Sequence, residues 1–290
     1  MVRLDYGGAP VIQVNQAHAT DIDMSPWFEK DLRLLERVGG FRFFYFGPRT
    51  WMVGEVEPLK ALEDPDSRAA ILERIVTEYP TTILKTGTRF YRVRRSPKDP
   101  KQTDEYDSAP LGSGGTGRLD RATLPILYAS HDLELCIHEC RYTAEDDLYV
   151  GTLAPTKDLK MLNLTGLLRE KDVTEFESLD MAVHMLFLAA DHSYPIAREI
   201  AVTARSRGFD GLIYPSYFSL LRTGGMPFET VYGISNRQLS SLAEYERSKI
   251  APNVAIFGRP VSEGIVAVTS INRLIISRAE YSFHFGPVGY

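Results

Sequence analysis

Cysteine is scarce in this chain, and a surplus of basic residues is missing. The 290 residues include two cysteines, Cys136 and Cys140, four positions apart on one predicted helix. Helical Cα atoms at that spacing rarely suit a disulfide, and two thiols without a histidine cluster make a poor zinc site. We therefore expect two buried, reduced cysteines and no bound metal, as is usual for a cytoplasmic protein.

The charge balance and the apolar runs exclude two further classes of protein. The formal net charge is −5, from 33 basic and 38 acidic residues, whereas a general nucleic-acid binder usually carries a basic surplus. The longest apolar run, around Met181 to Ala190, is too short to span a bilayer. Residues 1–10 lack the basic and apolar parts of a secretory signal. We expect no membrane and no direct nucleic-acid binding.

Residues 1–87 differ in character from the rest of the chain. Ser25 is a typical N-cap and the proline after it a typical first helical residue, which predicts a helix over Pro26–Val38. A strand is expected over Phe41–Phe46, and the apolar spacing of Pro65–Tyr79 predicts a second helix. Because no glycine-rich loop or ligand cluster occurs here, we interpret this part as a small α/β accessory or oligomerisation region, which would suit a homo-oligomer.

The stretch Leu127–Tyr142 holds the most informative residues. A short apolar strand is followed by a turn in which Asp132 can cap the next helix, because its carboxylate can accept a hydrogen bond from a first-turn amide. At 100° per residue, Glu139 falls between Leu135 and Cys136 on the apolar face of that helix. Burying an unpaired carboxylate is expensive, so we expect Glu139 to be matched by a donor or kept for a chemical task.

Two arginine-bearing motifs precede that stretch. The strand predicted over Thr88–Arg95 carries four arginines, which could line a phosphate or simply face solvent, and composition alone favours solvent. The turn Leu111–Asp120 is rich in glycine and contains Arg118, and such turns let backbone amides approach an anion. It matches neither the dinucleotide fingerprint nor a Walker loop, so a plain flexible turn is the simpler interpretation.

The rest of the chain predicts an α+β fold without internal repeats. Ser193 precedes a helix that starts with proline, where capping is the simpler role and contact with a ligand is the alternative. The predicted helices are 173–190 and 195–207, and the predicted strands are 148–153, 159–164, 209–216, 230–234, 253–257, 265–269 and 274–277.

Six short motifs follow one another in a set order. They are Phe90–Val93, Gly117–Asp120, Ile126–Ala129, Cys136–Glu139, Met161–Thr165 and Gly208–Ser216. In this order they resemble the RES domain family, over about Thr88 to Gly258. The resemblance implies an α+β, ADP-ribosyltransferase-like fold with a mixed, split β-sheet and flanking helices. It also implies a bacterial toxin that destroys NAD+ and is paired with a DNA-binding antitoxin, which commonly covers the active site.

That family is named for an arginine, a glutamate and a serine, and the motifs supply a counterpart for each. The serine falls on Ser193, with Ser216 as the competing assignment. The catalytic residues that the resemblance implies are Glu139, Arg92, Tyr128 and Ser193, and the substrate-binding residues are Arg118, Ser216, Gly117 and Tyr91. The chain would then divide into an accessory region, residues 1–87, and a RES-like catalytic domain, residues 88–290.

Two features depart from the family pattern. The usual Gly-Gly-Arg-Trp-Asn loop reads Thr116-Gly117-Arg118-Leu119-Asp120 here, so an indole is lost and an amide becomes an acid. The segment before Gly87 has no counterpart in the minimal domain.

The chemistry of NAD+ cleavage asks for the same residue types. Breaking the nicotinamide–ribose bond passes through an oxocarbenium-like state, which a carboxylate such as Glu139 stabilises. Forked arginines such as Arg92 and Arg118 suit a pyrophosphate, and Tyr128 offers a ring and a hydroxyl to the ribose. NAD+ is here a substrate, and no cofactor is expected. The expected activity is NAD+ glycohydrolase or phosphorylase; the alternatives are transfer of ADP-ribose to protein and a non-catalytic module that senses a nucleotide.

Overall fold

In the part of the chain that the structure describes, eight strands form one mixed β-sheet with helices packed chiefly on one face. The computed structural model describes residues 2–4, 10–12, 56–113, 115–174, 176–189, 193–226, 229–231 and 234–278. The helix predicted over Pro26–Val38 and the strand predicted over Phe41–Phe46 lie outside the described residues.

The strands are short at the chain's start and longer in the large sheet. They are β1 Val2–Leu4, β2 Pro10–Ile12, β3 Thr81–Leu84, β4 Phe90–Arg95, β5 Ile126–Ser130, β6 Leu148–Pro155, β7 Leu159–Asn163, β8 Gly211–Pro215, β9 Thr230–Val231, β10 Ile234–Ser235, β11 Pro252–Phe257 and β12 Val266–Leu274. β1 pairs with β2, and β9 pairs with β10, each antiparallel.

The helices lie between these strands along the chain, singly or in pairs. They are α1 Glu57–Glu63, α2 Pro65–Glu78, α3 Leu133–Cys140, α4 Leu179–Leu188, α5 Tyr194–Ser206, α6 Ser219–Thr223 and α7 Ala243–Ser248, with 3₁₀ turns at Thr103–Tyr106, Asn236–Gln238 and Ser240–Leu242. Among the residues that the structure describes, no helix combines the length and the apolar character that crossing a membrane requires.

The order of the large sheet decides where the candidate site lies. From edge to edge the order is β12-β6-β4-β5-β11-β8-β7-β3, and neighbours are antiparallel except for β7 and β8. β11 lies between β5 and β8, so that Asn253 faces Ser130 on one side and Tyr214 on the other. β4 and β5, both fully described, are joined at the single pair Tyr91–Ser130. The sheet therefore splits beyond that pair.

The largest core covers one face of this sheet. Leu59 of α1, Ile75 of α2, Phe187 of α4 and Ile200 of α5 are all completely buried in it. All ten residues of α4 are buried, which fits the apolar run seen in the sequence. A second cluster fills the opposite face around Phe90, and a third packs α3 against β4 and β6.

The predicted α+β class with a mixed sheet is confirmed. The helix predicted from Pro65 is α2. In place of the two strands predicted over 265–269 and 274–277 there is one strand, β12, which ends at Leu274. β12 is an edge strand whose register shifts between Val268 and Ser270, so its apolar alternation is interrupted. α1, α2 and β3 join the core and sheet of the following residues. Most of residues 1–87 lies outside the described part, so the division after residue 87 stays a prediction.

Candidate active site

Glu139 lies in the last turn of α3, where that helix meets the end of β8 and the start of β11. α3 follows β5 directly, and Asp132 caps it as predicted: its Oδ1 accepts hydrogen bonds from the amides of Glu134 (3.0 Å) and Leu135 (3.3 Å). Leu135 is completely buried. The cap and this apolar anchor fix the direction in which the last turn of α3 points.

Two donors meet the carboxylate of Glu139. Oε1 accepts a hydrogen bond from Ser216 Oγ at 2.5 Å and another from Asn253 Nδ2 at 2.5 Å. Ser216 is completely buried just after β8, and its Oγ accepts a hydrogen bond from the amide of Phe218 (2.9 Å). We call Glu139, Ser216 and Asn253 the Glu139 group.

Glu139 itself is exposed, which corrects the expectation that it packs inward. The apolar residues Leu135 and Cys136 occupy the middle of α3, and from Ile137 onwards every residue of the helix is at least partly exposed. The last turn therefore extends past the core. The structure supplies donors for the carboxylate, as expected, but it also leaves the carboxylate open to a ligand.

The two cysteines differ, so the expectation that both are buried is wrong for one of them. Cys136 is buried and Cys140 is exposed, because the helix runs out of the core between them. Both thiols are free. Cys136 Sγ donates to the carbonyl of Tyr91 at 3.2 Å, and burial raises the pKa of Cys136 to about 12.

A second group of residues surrounds Arg118. Its guanidinium donates to the carbonyl of Ala189 (3.0 Å) at the end of α4 and lies 3.4 Å from Ser193 Oγ. The same guanidinium stacks on the ring of Tyr194, 4.8 Å from the ring centre. Ser193 precedes α5, but its side chain makes no capping hydrogen bond, so the simpler role that the sequence favoured is not seen. We call Arg118, Ser193 and Tyr194 the Arg118 group.

Tyr128 holds the turn that carries Arg118. Its Oη accepts hydrogen bonds from the amides of Leu119 (2.8 Å) and Asp120 (3.0 Å), and it donates to Asp120 Oδ1 (2.9 Å). Gly117 is required there, since an added Cβ would lie 2.1 Å from Asp120 Oδ1 and 2.9 Å from Tyr128 Oη. Arg198 of α5 closes the turn from outside by donating twice to the Gly117 carbonyl. The turn at Gly117–Asp120 is therefore held by specific hydrogen bonds and is not a plain flexible turn.

Both departures from the family loop fit this turn. The carboxylate of Asp120 accepts from Tyr128 through Oδ1 and from the amide of Gly115 through Oδ2 (2.5 Å), and an amide side chain could not accept at both ends. Leu119 is completely buried in the large core, where the indole would have been expected.

Tyr214 connects the two groups. It is buried on β8, and burial, followed by the charge of Glu139, raises the pKa of its phenol well above the usual value. Arg118 opposes this shift. Because the charges of both Glu139 and Arg118 act on Tyr214, we treat the Glu139 group and the Arg118 group as two parts of one candidate site.

Arg92 braces the split between β4 and β5. Its guanidinium is nine-tenths buried, with Nη1 donating to the carbonyl of Tyr128 (2.7 Å) and Nη2 to that of Asp107 (3.1 Å). Nε is buried without a hydrogen-bond partner among the described residues. Burial, assisted by the neighbouring Arg94, lowers the pKa of Arg92 to about 9. In the described part of the chain, the hydrogen bonds of Arg92 and Glu139 share no residue.

Tyr91 lies beside α3 and belongs to neither group. Its ring packs on the cluster that contains Val93 and Cys136, and its residue position is opposite Ser130 in the sheet. The structure thus brings Glu139 together with Ser216, and Arg118 with Ser193, while Arg92 and Tyr91 support the elements around them.

Residues 89–224 match the family model of the RES domain. That range contains every site residue implied by the motifs, from Tyr91 to Ser216. The chain carries a RES domain. A chain of the M. tuberculosis MbcT–MbcA toxin–antitoxin complex is similar to it in structure, with 13% sequence identity and a TM-score of 0.40, over 71% of this chain and 92% of that chain. No curated protein matches the sequence.

Three residues of the candidate site were missed by sequence reasoning. Asn253 and Arg198 carry no motif signal, although a lone amide at the start of the apolar strand β11 could have drawn attention to Asn253. Tyr214 stands inside a family motif but reads there as a core residue. The family match ends at residue 224, so Asn253 of β11 belongs to the Glu139 group but lies outside the match.

Proposed function

We propose that this RES domain consumes NAD+ by cleaving the bond between nicotinamide and ribose. The observation that carries the proposal is the Glu139 carboxylate, which is exposed while buried donors hold one of its oxygens. A carboxylate in that state can face a substrate without being free to turn away. The RES match supports the same substrate, because the resemblance of the motifs implies an NAD+-destroying activity.

Glu139 would act on the ribose. As the bond to nicotinamide breaks, its electron pair leaves with the pyridine nitrogen and positive charge spreads over the ribose C1′ and ring oxygen. The carboxylate stabilises that charge. Nicotinamide departs as a neutral molecule, so no acid has to protonate it. Water or phosphate then adds to C1′ and gives ADP-ribose or its phosphorylated form.

The Arg118 group would hold the pyrophosphate. Arg118 is partly exposed, and its described hydrogen bonds go to neutral oxygens rather than to a carboxylate. Arg118 comes from another segment and packs against the first turn of α5 at Tyr194. α5 has 13 residues and no acidic residue at that end. A guanidinium beside a helix N-terminus favours an anion. Ser193 Oγ is close enough to share the same ligand.

The acceptor and the fate of the product are decided by one experiment. The purified chain is incubated with NAD+, with and without phosphate, and the products are separated by chromatography. We expect free ADP-ribose, or ADP-ribose phosphate when phosphate is present, together with nicotinamide. Label transferred from NAD+ to protein would instead identify a protein ADP-ribosyltransferase.

Glu139→Gln is the critical variant, and Glu134→Gln is its matched control. Glu134 lies on the same helix, is exposed and makes no hydrogen bond to the cleft residues named above. Loss of the charge at Glu139 should lower kcat by about 100-fold or more, and the Glu134 variant should stay within a few-fold of wild type. No NAD+ loss by wild type, or undiminished loss by Glu139→Gln, would contradict the proposal.

A toxin or defence effector is the proposed role, held in check by an antitoxin that covers the cleft. Large apolar side chains are exposed directly after Ser216, among them Tyr217, Leu220 and Leu221, and they would suit a protein partner. Expression of wild type should slow bacterial growth and lower cellular NAD+, and Glu139→Gln should relieve both. If wild type and Glu139→Gln were equally toxic, the growth defect would not depend on the Glu139 carboxylate.

A further inference from the structure

Asn253 is a polar residue in the most buried strand of the sheet. Only 4% of it is exposed, and the four residues after it, Val254 to Phe257, are all apolar and buried. Its neighbours across the sheet are Ser130 and Tyr214. A primary amide in such surroundings is costly unless it is hydrogen-bonded, and its Nδ2 donates to Glu139.

The two donors of the Glu139 group share one acceptor atom. Ser216 and Asn253 both reach Oε1, from the end of β8 and the start of β11. Within the described residues, no hydrogen bond is made to Oε2. If the two donors served stability alone, one donor on each oxygen would satisfy the carboxylate equally well. Placing both on Oε1 fixes the plane of the carboxylate and leaves the second oxygen available to a ligand.

We propose that Asn253 is a positioning residue, which together with Ser216 anchors Oε1 of Glu139 so that Oε2 faces the substrate. The inference rests on the proposed function, because it gives Oε2 the task of stabilising the ribose. Asn253 lies outside the RES match and 114 residues from Glu139 in sequence. Hydrogen bonds to a charged acceptor are roughly twice as strong as neutral ones, so this pair of donors restrains the side chain firmly.

The first test compares the kinetics of Asn253→Ala with those of Asn163→Ala. Asn163 lies on β7, two strands away from β11, and its Nδ2 donates to Thr82 Oγ1 instead of to Glu139, so it serves as a control for loss of a side-chain amide. We expect Asn253→Ala to lower kcat by about 10- to 100-fold, since misplacement by about 1 Å can cost that much. KM for NAD+ should change less than about threefold. Equal kcat in the two variants, or a raised KM at unchanged kcat, would overturn the proposal.

Asn253→Asp gives a second readout that also covers the case in which the alanine variant does not fold. It is isosteric, and it places a carboxyl group at 2.5 Å from Oε1. With one proton between them, the aspartic acid donates to Glu139 as the amide did. When that proton leaves, two like charges face each other.

The activity of Asn253→Asp should therefore decrease as rising pH removes the shared proton, and wild type should show no such decrease. The charge of Glu139 also contributes to raising the pKa of Cys140 on its own helix and of Tyr214 on β8, although burial is the larger cause in both. Both stay neutral near pH 7, so they cause no such decrease there. A profile parallel to that of wild type would count against the inference.

A measurement without NAD+ separates the two proposals. With selective ¹⁵N-asparagine labelling, the side-chain amide signals of Asn253 should shift in Glu139→Gln, while those of Asn163 should not. Absence of this shift would remove the contact on which the inference stands. Inactivity of wild type toward NAD+ combined with a normal shift would overturn the proposed function, and with it the catalytic meaning of the contact, while leaving the contact itself in place.

Discussion

Tyr128 uses its hydroxyl on the protein's own backbone. Three hydrogen bonds of 2.8 to 3.0 Å tie it to Leu119 and Asp120. Burial, followed by the negative charge of Asp120, raises the pKa of this phenol, so the hydroxyl stays protonated wherever the protein is folded. The family resemblance implied contact with the ribose, which stays a prediction; in the structure the hydroxyl shapes the turn before Arg118.

Tyr128→Phe should therefore lower stability as well as activity. The variant leaves two amides and one carboxylate oxygen without their shared partner, and a buried polar group left unsatisfied costs about 1–3 kcal/mol. We expect the free energy of unfolding, from urea titration followed by circular dichroism, to fall by about that amount. Tyr142→Phe is the control, because within the described ranges Tyr142 Oη makes only a long bond of 3.4 Å to the carbonyl of Val93 and a side-chain contact with the Cys140 thiol, and holds no backbone amide. Equal losses in both variants would contradict this role.

At the scale of the element, α3 was the best predicted part of the site. Asp132 and the apolar residues Leu135 and Cys136 lie close together in sequence, and local rules suffice for them. The exposure of Glu139 depends instead on where an eight-residue helix leaves the core, which periodicity does not encode. Asn253 could not be predicted as its partner, because β11 reaches Glu139 through strand order alone.

Asp132→Ala should loosen the helix that carries Glu139. The cap carboxylate accepts from two first-turn amides, and it also pairs with Arg222 of α6 at 2.5 Å. Loss of an aspartate cap costs about 1 kcal/mol, so the melting temperature should drop and amide exchange in α3 should rise. Glu134→Ala keeps the cap and should leave exchange near that of wild type. Unchanged protection in the Asp132 variant would show that packing alone holds α3.

At the scale of the whole molecule, a buried ion pair joins α4 to the 3₁₀ turn Asn236–Gln238. Arg237 donates through Nε to Asp180 Oδ2 (2.7 Å) and through Nη2 to Oδ1 (3.0 Å), and both side chains are about 5% exposed or less. Since α4 is the central helix of the large core, this pair joins the C-terminal segment to it. No local sequence pattern predicts such a pair, whose partners are 57 positions apart.

Arg237→Met should destabilise the fold strongly. It leaves the Asp180 carboxylate buried without its counter-charge, which costs about 3–5 kcal/mol. Arg273→Ala is the matched control, because Arg273 pairs with Asp147 at the surface, with 66% and 44% of the side chains exposed, and such pairs contribute about 0–1 kcal/mol. Urea unfolding measures both. A loss in Arg237→Met no larger than in the control would mean that the pair is replaceable.

The central place of β11 also determines when the Glu139 group can form during translation. Glu139 leaves the ribosome first, Ser216 follows 77 residues later and Asn253 after 114. Until β11 emerges, the strands form two separate sets, β6-β4-β5 and β8-β7-β3, with no strand between them. The Glu139 group is therefore completed late. Until β11 has left the ribosome, each nascent chain carries an incomplete site.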